Sequence, residues 1–276
     1  MHMKLQEFST QYKGTSIYGQ YTQPDDVQAV VVLVHGMGEH SGRYIEHVVP
    51  ALLKTNLAVV LYDNFGHGKS EGKKGHCPSY EALMKLLSQV IVEARKLFPK
   101  TPLFLYGHSM GANLVLNYAL RRKDSIHGIV ATSPYLRLAF EPPKWKMVIG
   151  KAMMGVWPSI TLPSGLNPYG ISRIPEEVEK YVNDPLVHDK VSPMFSFPIM
   201  DAGEWALESA QQLKVNTLLL HGTDDLIIDH QATKIFHENA TTTTLQLFEG
   251  GYHELHYDLC REEVLNTIQN WLQQQL

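Results

Sequence analysis

The chain has only two cysteines in 276 residues, Cys77 and Cys260, far apart and outside any C-x-x-C pair. That offers no disulfide framework, and two free thiols in a reducing compartment are the expectation. No uninterrupted apolar run approaches the roughly 18 residues that a spanning helix needs. Positive charge is not in surplus either. Against 28 Asp and Glu stand 24 Lys and Arg, a formal −4 without any basic run, which excludes nucleic acid as a partner. The opening stretch, Met1 to Lys13, is mixed and polar and lacks the apolar centre of a signal peptide, so a cytoplasmic location is expected. Internal repeats and low-complexity tracts are missing as well. What is present is an ordinary globular composition, 44% hydrophobic and 19% charged, with enough apolar material for a sizeable core.

Short apolar runs alternate with longer helical patterns. Residues 29–34 (AVVVLV), 57–62 (LAVVLY), 103–106 (LFLY), 126–132 and 215–220 (VNTLLL) are rich in β-formers and almost continuously hydrophobic. Such strands are buried on both faces, as in a parallel sheet covered by helices. Helical spacing runs through 80–98, 110–122 and 262–276, and 243–248 (TTLQLF) predicts a last strand. The alternation predicts an α/β sheet, with an edge hairpin around Gly14 and Gly19.

One stretch breaks this rhythm. About 80 residues separate the strand ending near Ser133 from the one beginning near Val215, far more than an α/β connection needs. Ten of the 15 prolines fall between Pro134 and Pro198. Trp145, Ile149, Ala152, Val156 and Trp157 recur at helical spacing, with Met147, Met153 and Met154 beside them. The expectation is a core of residues 1–134 and 201–276 carrying an inserted helical cap at 135–200.

Chemistry enters at Gly107-His108-Ser109-Met110-Gly111. This G-x-S-x-G lies between a buried strand and a helix, the setting in which a sharp turn lifts a serine hydroxyl above the sheet. Serine is a poor nucleophile at neutral pH and needs a base held by a carboxylate. In α/β hydrolases these follow in the order Ser, then Asp or Glu, then His. The acid should lie beyond the strand at 215–220, in His221-Gly222-Thr223-Asp224-Asp225, with Asp225 favoured over Asp224 and Asp229 a distant third. The base should follow the last strand, where His253 is favoured and His256 competes. Acyl transfer also needs two amides for an oxyanion. Met110, next after the serine, and Met37, in the glycine-bearing loop after the first buried strand, fit that role. Gly66-His67-Gly68-Lys69-Ser70-Glu71-Gly72 has neither Walker-A nor dinucleotide spacing and reads as a structural turn. No H-E-x-x-H occurs at 253–256, so a zinc peptidase site is not supported; no metal and no cofactor are expected.

With these residues placed, the chain resembles the monoacylglycerol lipase group of α/β hydrolases, which includes lysophospholipases and serine aminopeptidase-like hydrolases. The similarity lies in HGMGEHSGRY (35–44), YDNFGHGKSEG (62–72), GHSMG (107–111), YVNDPL (181–186), HGTDD (221–225) and GGYHELH (250–256), nearly end to end. It implies Ser109, Asp225 and His253 as a triad, with the Met37 and Met110 amides as oxyanion donors. It further implies that Glu39, Arg43, Tyr181 and His256 line a polar pocket for the alcohol part of the substrate. For Glu39 and Arg43, an ion pair holding the oxyanion loop is the alternative. The resemblance implies a cap that binds the acyl chain and contacts lipid, hence a small lipid ester as partner and a transient membrane-surface contact. Lysophospholipase, general carboxylesterase and aminopeptidase activities are the alternatives, the last motivated by Glu176, Glu177 and Glu179; a non-catalytic ligand-binding protein on the same fold is the remaining one.

Overall fold

The structure, a computed structural model, describes residues 3–276. Its sheet has eight strands in the order β1-β2-β4-β3-β5-β6-β9-β10: β1 (Gln6–Tyr12), β2 (Thr15–Thr22), β3 (Ala29–Val34), β4 (Leu57–Tyr62), β5 (Leu103–His108), β6 (Gly128–Thr132), β9 (Thr217–Gly222) and β10 (Thr243–Phe248). Strands β3, β4, β5, β6, β9 and β10 pair in parallel, while β1 and β2 form the antiparallel edge hairpin expected from the glycines. Gly14, at φ +86°, makes the left-handed turn that closes it.

Every residue of β3, β4, β5, β6 and β9 is buried, because successive side chains point to opposite faces and both faces are covered. Val30, Val32 and Val34 face helices α2 (Tyr80–Leu97) and α3 (Met110–Arg121). Val31 and Leu33 face α1 (Val48–Lys54) and α8 (Arg261–Gln274). Helix α2 shows why the pattern folds this way. Ser79 caps it by accepting from Ala82 N at 3.0 Å, and Leu83, Leu86, Leu87, Val90 and Ile91 form one apolar stripe. Helix α7 (His230–Asn239) joins β9 to β10.

The stretch between β6 and β9 holds α4 (Lys144–Val156), the two-residue strands β7 (Leu162–Pro163) and β8 (Lys190–Val191), α5 (Pro175–Asn183) and α6 (Pro193–Ser209). The expected edge of the cap at residue 200 falls inside α6, which runs unbroken to Ser209 despite Pro198. Proline leaves the carbonyl four residues back without its helical donor, and the Cys77 thiol reaches that carbonyl, Met194 O, at 4.0 Å. The amide of Asn117 on α3 donates to Ala202 O at 3.2 Å, tying α6 to the core. Helix α4 forms at the expected spacing but none of its residues is fully buried: Trp145 is 63% exposed and Val148 69%.

Candidate active site

Ser109 stands at the strand-to-helix turn with φ +53°, a conformation strained for any side chain, and is 7% exposed. Its flanking glycines are obligatory. A Cβ on Gly111 would lie 2.0 Å from Val34 O, and one on Gly107 2.4 Å from Gly111 O. The turn is pinned by Ser109 N, which donates to Thr132 O at 2.9 Å, and by Asn113 N, which donates to Ser109 O at 3.0 Å.

Asp225, just beyond β9, is saturated on both oxygens. Its Oδ1 accepts from the Ile227 and Ile228 amides at 2.8 and 2.9 Å. Its Oδ2 accepts from His253 Nδ1 at 2.6 Å and from His221 Nε2 at 3.1 Å. A carboxylate can only accept, so both imidazoles carry a proton on the facing nitrogen. Burial works against the Asp225 charge, yet His253 and His221 together hold it well below the usual carboxylate range. Burial likewise opposes a charged His253, but Asp225, Glu254 and Glu39 raise it above the ordinary imidazole value. The rival aspartates have other work. Asp224 is exposed, and Asp229 caps α7 by accepting from Gln231 N at 2.9 Å.

The loop after β3 is held by two neutral histidines. His35 donates to Gly36 O at 2.7 Å and accepts from Asn64 N at 2.9 Å. His67 donates to Phe65 O at 2.8 Å, leaving Nε2 to accept from Gly38 N at 3.1 Å. Burial depresses both imidazoles, which keeps each nitrogen in its role. Gly38, at φ +80°, also accepts from His188 N at 2.8 Å. Met37 in this loop and Met110 after the serine both line the cavity that Ser109 and His253 face.

That cavity has a volume of about 550 Å³. Ser109, His253, His108 and Glu39 make one end polar, while Leu138, Met147, Leu166, Ile171, Phe197 and Ile228 are among the apolar residues of the remainder. Of the four expected substrate contacts, Glu39 and Tyr181 line the cavity; Arg43 and His256 do not. Arg43 lies behind Glu39, donating to Glu39 Oε2 at 2.8 Å and forking onto Glu254 at 2.6 and 2.7 Å. Glu39 Oε1 is likewise occupied by Gly36 N and the Tyr44 hydroxyl, both at 2.6 Å. His256 is fully buried with its ring stacked on Tyr44, centroids 4.9 Å apart.

Sequence reasoning missed three of these partners: His221, His67 and Glu254. A signal existed for the first two. His35, His67 and His221 each precede a glycine just where a buried strand or its following loop turns toward the site. One further cluster of metal-ligand types occurs among the described residues, Glu46, His47 and Glu177. Lys180 Nζ lies 2.9 Å from Glu46 and Arg261 3.7 Å from Glu177, so the chain's own cations answer those charges.

A mostly parallel sheet, a strained serine at its elbow and a histidine on a buried carboxylate in that chain order define an α/β hydrolase. The family profile described as serine aminopeptidase, S33, matches residues 25–259. The chain is 30% identical to the monoglyceride lipase of Rattus norvegicus over 266 residues, 94% of this chain and 87% of that protein. It is 34% identical over 252 residues to an abhydrolase domain-containing protein of Dictyostelium discoideum, spanning 90% of this chain but only 26% of that longer protein. The crystal structure of the Paleococcus ferrophilus monoacylglycerol lipase superposes with a TM-score of 0.85 at 35% identity, covering 100% of both chains. The chain belongs to the monoacylglycerol lipase family of α/β hydrolases.

Proposed function

We propose that this enzyme hydrolyses monoacylglycerols to glycerol and fatty acid through an acyl-serine intermediate. One observation carries this: His253, held by Asp225 at 2.6 Å, shares with Ser109 the polar end of a cavity whose remaining wall is largely apolar. His253 Nε2 takes the Ser109 proton as Oγ attacks the ester carbonyl. Asp225 fixes the ring tautomer and stabilises the imidazolium that forms. The Met37 and Met110 amides receive the oxyanion. The imidazolium then gives its proton to the departing glycerol oxygen, and water, activated by the same His253, releases the fatty acid. A volume of about 550 Å³ is of the size that takes a small amphiphile.

Residues 135–200 act in this reading as the cap over the acyl chain. Its helix α4 exposes Trp145, Val148, Ile149 and Val156 beside three lysines, Lys144, Lys146 and Lys151, which suits transient contact with a lipid surface. No helix among the described residues is long and apolar enough to cross a membrane. A cytoplasmic enzyme working at the membrane face accommodates both features. The acidic residues that motivated an aminopeptidase lie elsewhere: Glu177 faces Lys180 and Arg261 and does not line the cavity.

The test is a panel of monoacylglycerols of varied chain length, lysophosphatidylcholine and aminoacyl amides, turned over by wild type and Ser109→Ala. Monoacylglycerol should be preferred, with kcat falling roughly four to six orders of magnitude in the variant. Equal rates in the two proteins would remove the acyl-serine mechanism, and preference for another head group would replace the substrate.

A further inference from the structure

Arg43 joins parts of the site that are remote in sequence. It lies in the turn after the oxyanion loop and contacts Glu39 of that loop on one side. On the other side its guanidinium forks onto Glu254, the residue next to His253, 211 positions along the chain. The Tyr181 ring from α5 and the Tyr257 ring cover its two sides, with centroids 4.7 and 4.8 Å from the guanidinium carbon. The Tyr257 hydroxyl also donates to the Arg43 carbonyl. All three charged groups are buried, at 9% exposure or less.

Stability alone does not account for this arrangement. A buried ion pair rarely outperforms apolar residues of the same volume, because desolvation offsets the attraction. Two carboxylates on one guanidinium are worse placed still, since they leave a net negative charge inside. That surplus charge sits where it has a use, beside the imidazole that must become imidazolium during acylation. We propose that Glu254, held by Arg43, is a positioning residue that locks the base loop to the oxyanion loop and keeps a second negative charge beside His253.

This rests on the triad assignment above and extends it. Asp225, next to His221, anchors the His253 ring from the β9 side; Glu254 and Glu39 add negative charge from the opposite loops. His108 and His256, 4.8 Å from His253 and 5.0 Å from His108 respectively, are both buried and neutral. Arg43 partly offsets the two glutamates. Burial pushes Glu254 up, against the pull of Arg43, while the two guanidinium donors on its two oxygens are the partners of an ionised carboxylate.

The experiment measures kcat and KM against pH for wild type, Glu254→Gln and Glu254→Asp on a water-soluble monoester, with Tm recorded for each. Glu254→Gln removes the charge at nearly constant volume. It should lower the acid-limb pKa of kcat/KM by about half a unit and kcat about tenfold, with KM within about twofold. Glu254→Asp keeps the charge but shortens the fork. It should restore the acid limb while kcat stays several-fold low. Unmoved kcat and acid limb in both variants would overturn the proposal, and so would a rise in KM alone, which would make Glu254 a substrate contact. If Glu254→Gln does not fold, Glu254→Asp carries the test. If neither folds, the pair is a stability element and the positioning role is withdrawn. Ser109→Ala in the same assay separates the two levels, because a failed triad shows there whatever Glu254 does.

Discussion

His256 offers the sharpest test of how burial controls this site. Its ring is wholly inside, stacked on Tyr44 and set edge-on to His108, and neither nitrogen has a hydrogen-bond partner among the described residues. Burial pushes its pKa down to about 3. The unfolded chain binds that proton near pH 6.5, so between the two values the unfolded state holds more protons and stability falls as pH drops. At pH 5 the loss attributable to this residue alone is about 2 kcal/mol, the 1.5 units between 6.5 and 5 at about 1.4 kcal/mol each. His256→Leu removes the titrating group and also two unpaired polar atoms, whose burial costs roughly 1–3 kcal/mol. Urea unfolding of both proteins at pH 7.5 and pH 5 should therefore show a smaller acid loss in the variant, by about 2 kcal/mol. His35, His67 and His108 are depressed too, so both proteins weaken in acid and only the difference reports on His256. Parallel losses in the two proteins would refute the account. A KM for monoacylglycerol raised more than about tenfold in the variant would return His256 to the substrate pocket.

Two other measurements bear on the site and the cap. Asp225→Asn should cost roughly 10⁴ in kcat through the wrong His253 tautomer, whereas Asp224→Asn, at an exposed side chain, should stay within about twofold; comparable losses would break the assignment. Replacing Trp145 and Trp157 by serine should weaken sedimentation with anionic phospholipid vesicles at least fivefold, roughly 1 kcal/mol, while turnover of a short soluble ester stays within about twofold; equal vesicle binding would take the membrane role from α4.

Much of the core was legible because its strands are buried on both faces, which writes itself as AVVVLV and LAVVLY without alternation. The serine was legible because its turn demands glycine at 107 and 111 on steric grounds. Helix α6 was not, since the prolines up to Pro198 marked the end of the expected cap at residue 200, and only the packing against α3 shows an unbroken helix across that boundary. The spacing on α4 signalled a helix, but periodicity says nothing about whether the apolar face meets protein, lipid or water. The link between Arg43 and Glu254 was out of reach for a different reason. Their pairing is a fact of topology, made when the turn after β3 meets the loop after β10.

The unburied helix α4 also divides the molecule into two regimes of change. Surface substitutions cost little, usually within about 0.5 kcal/mol, so α4 can drift without risk to the fold while Lys146 and Met147 on the same helix still face the cavity. A methyl group at Gly111, by contrast, meets a backbone oxygen at 2.0 Å. Descendants of this sequence are thus free to vary the helix that borders the cavity at almost no thermodynamic risk, and are held to the same elbow for as long as they fold.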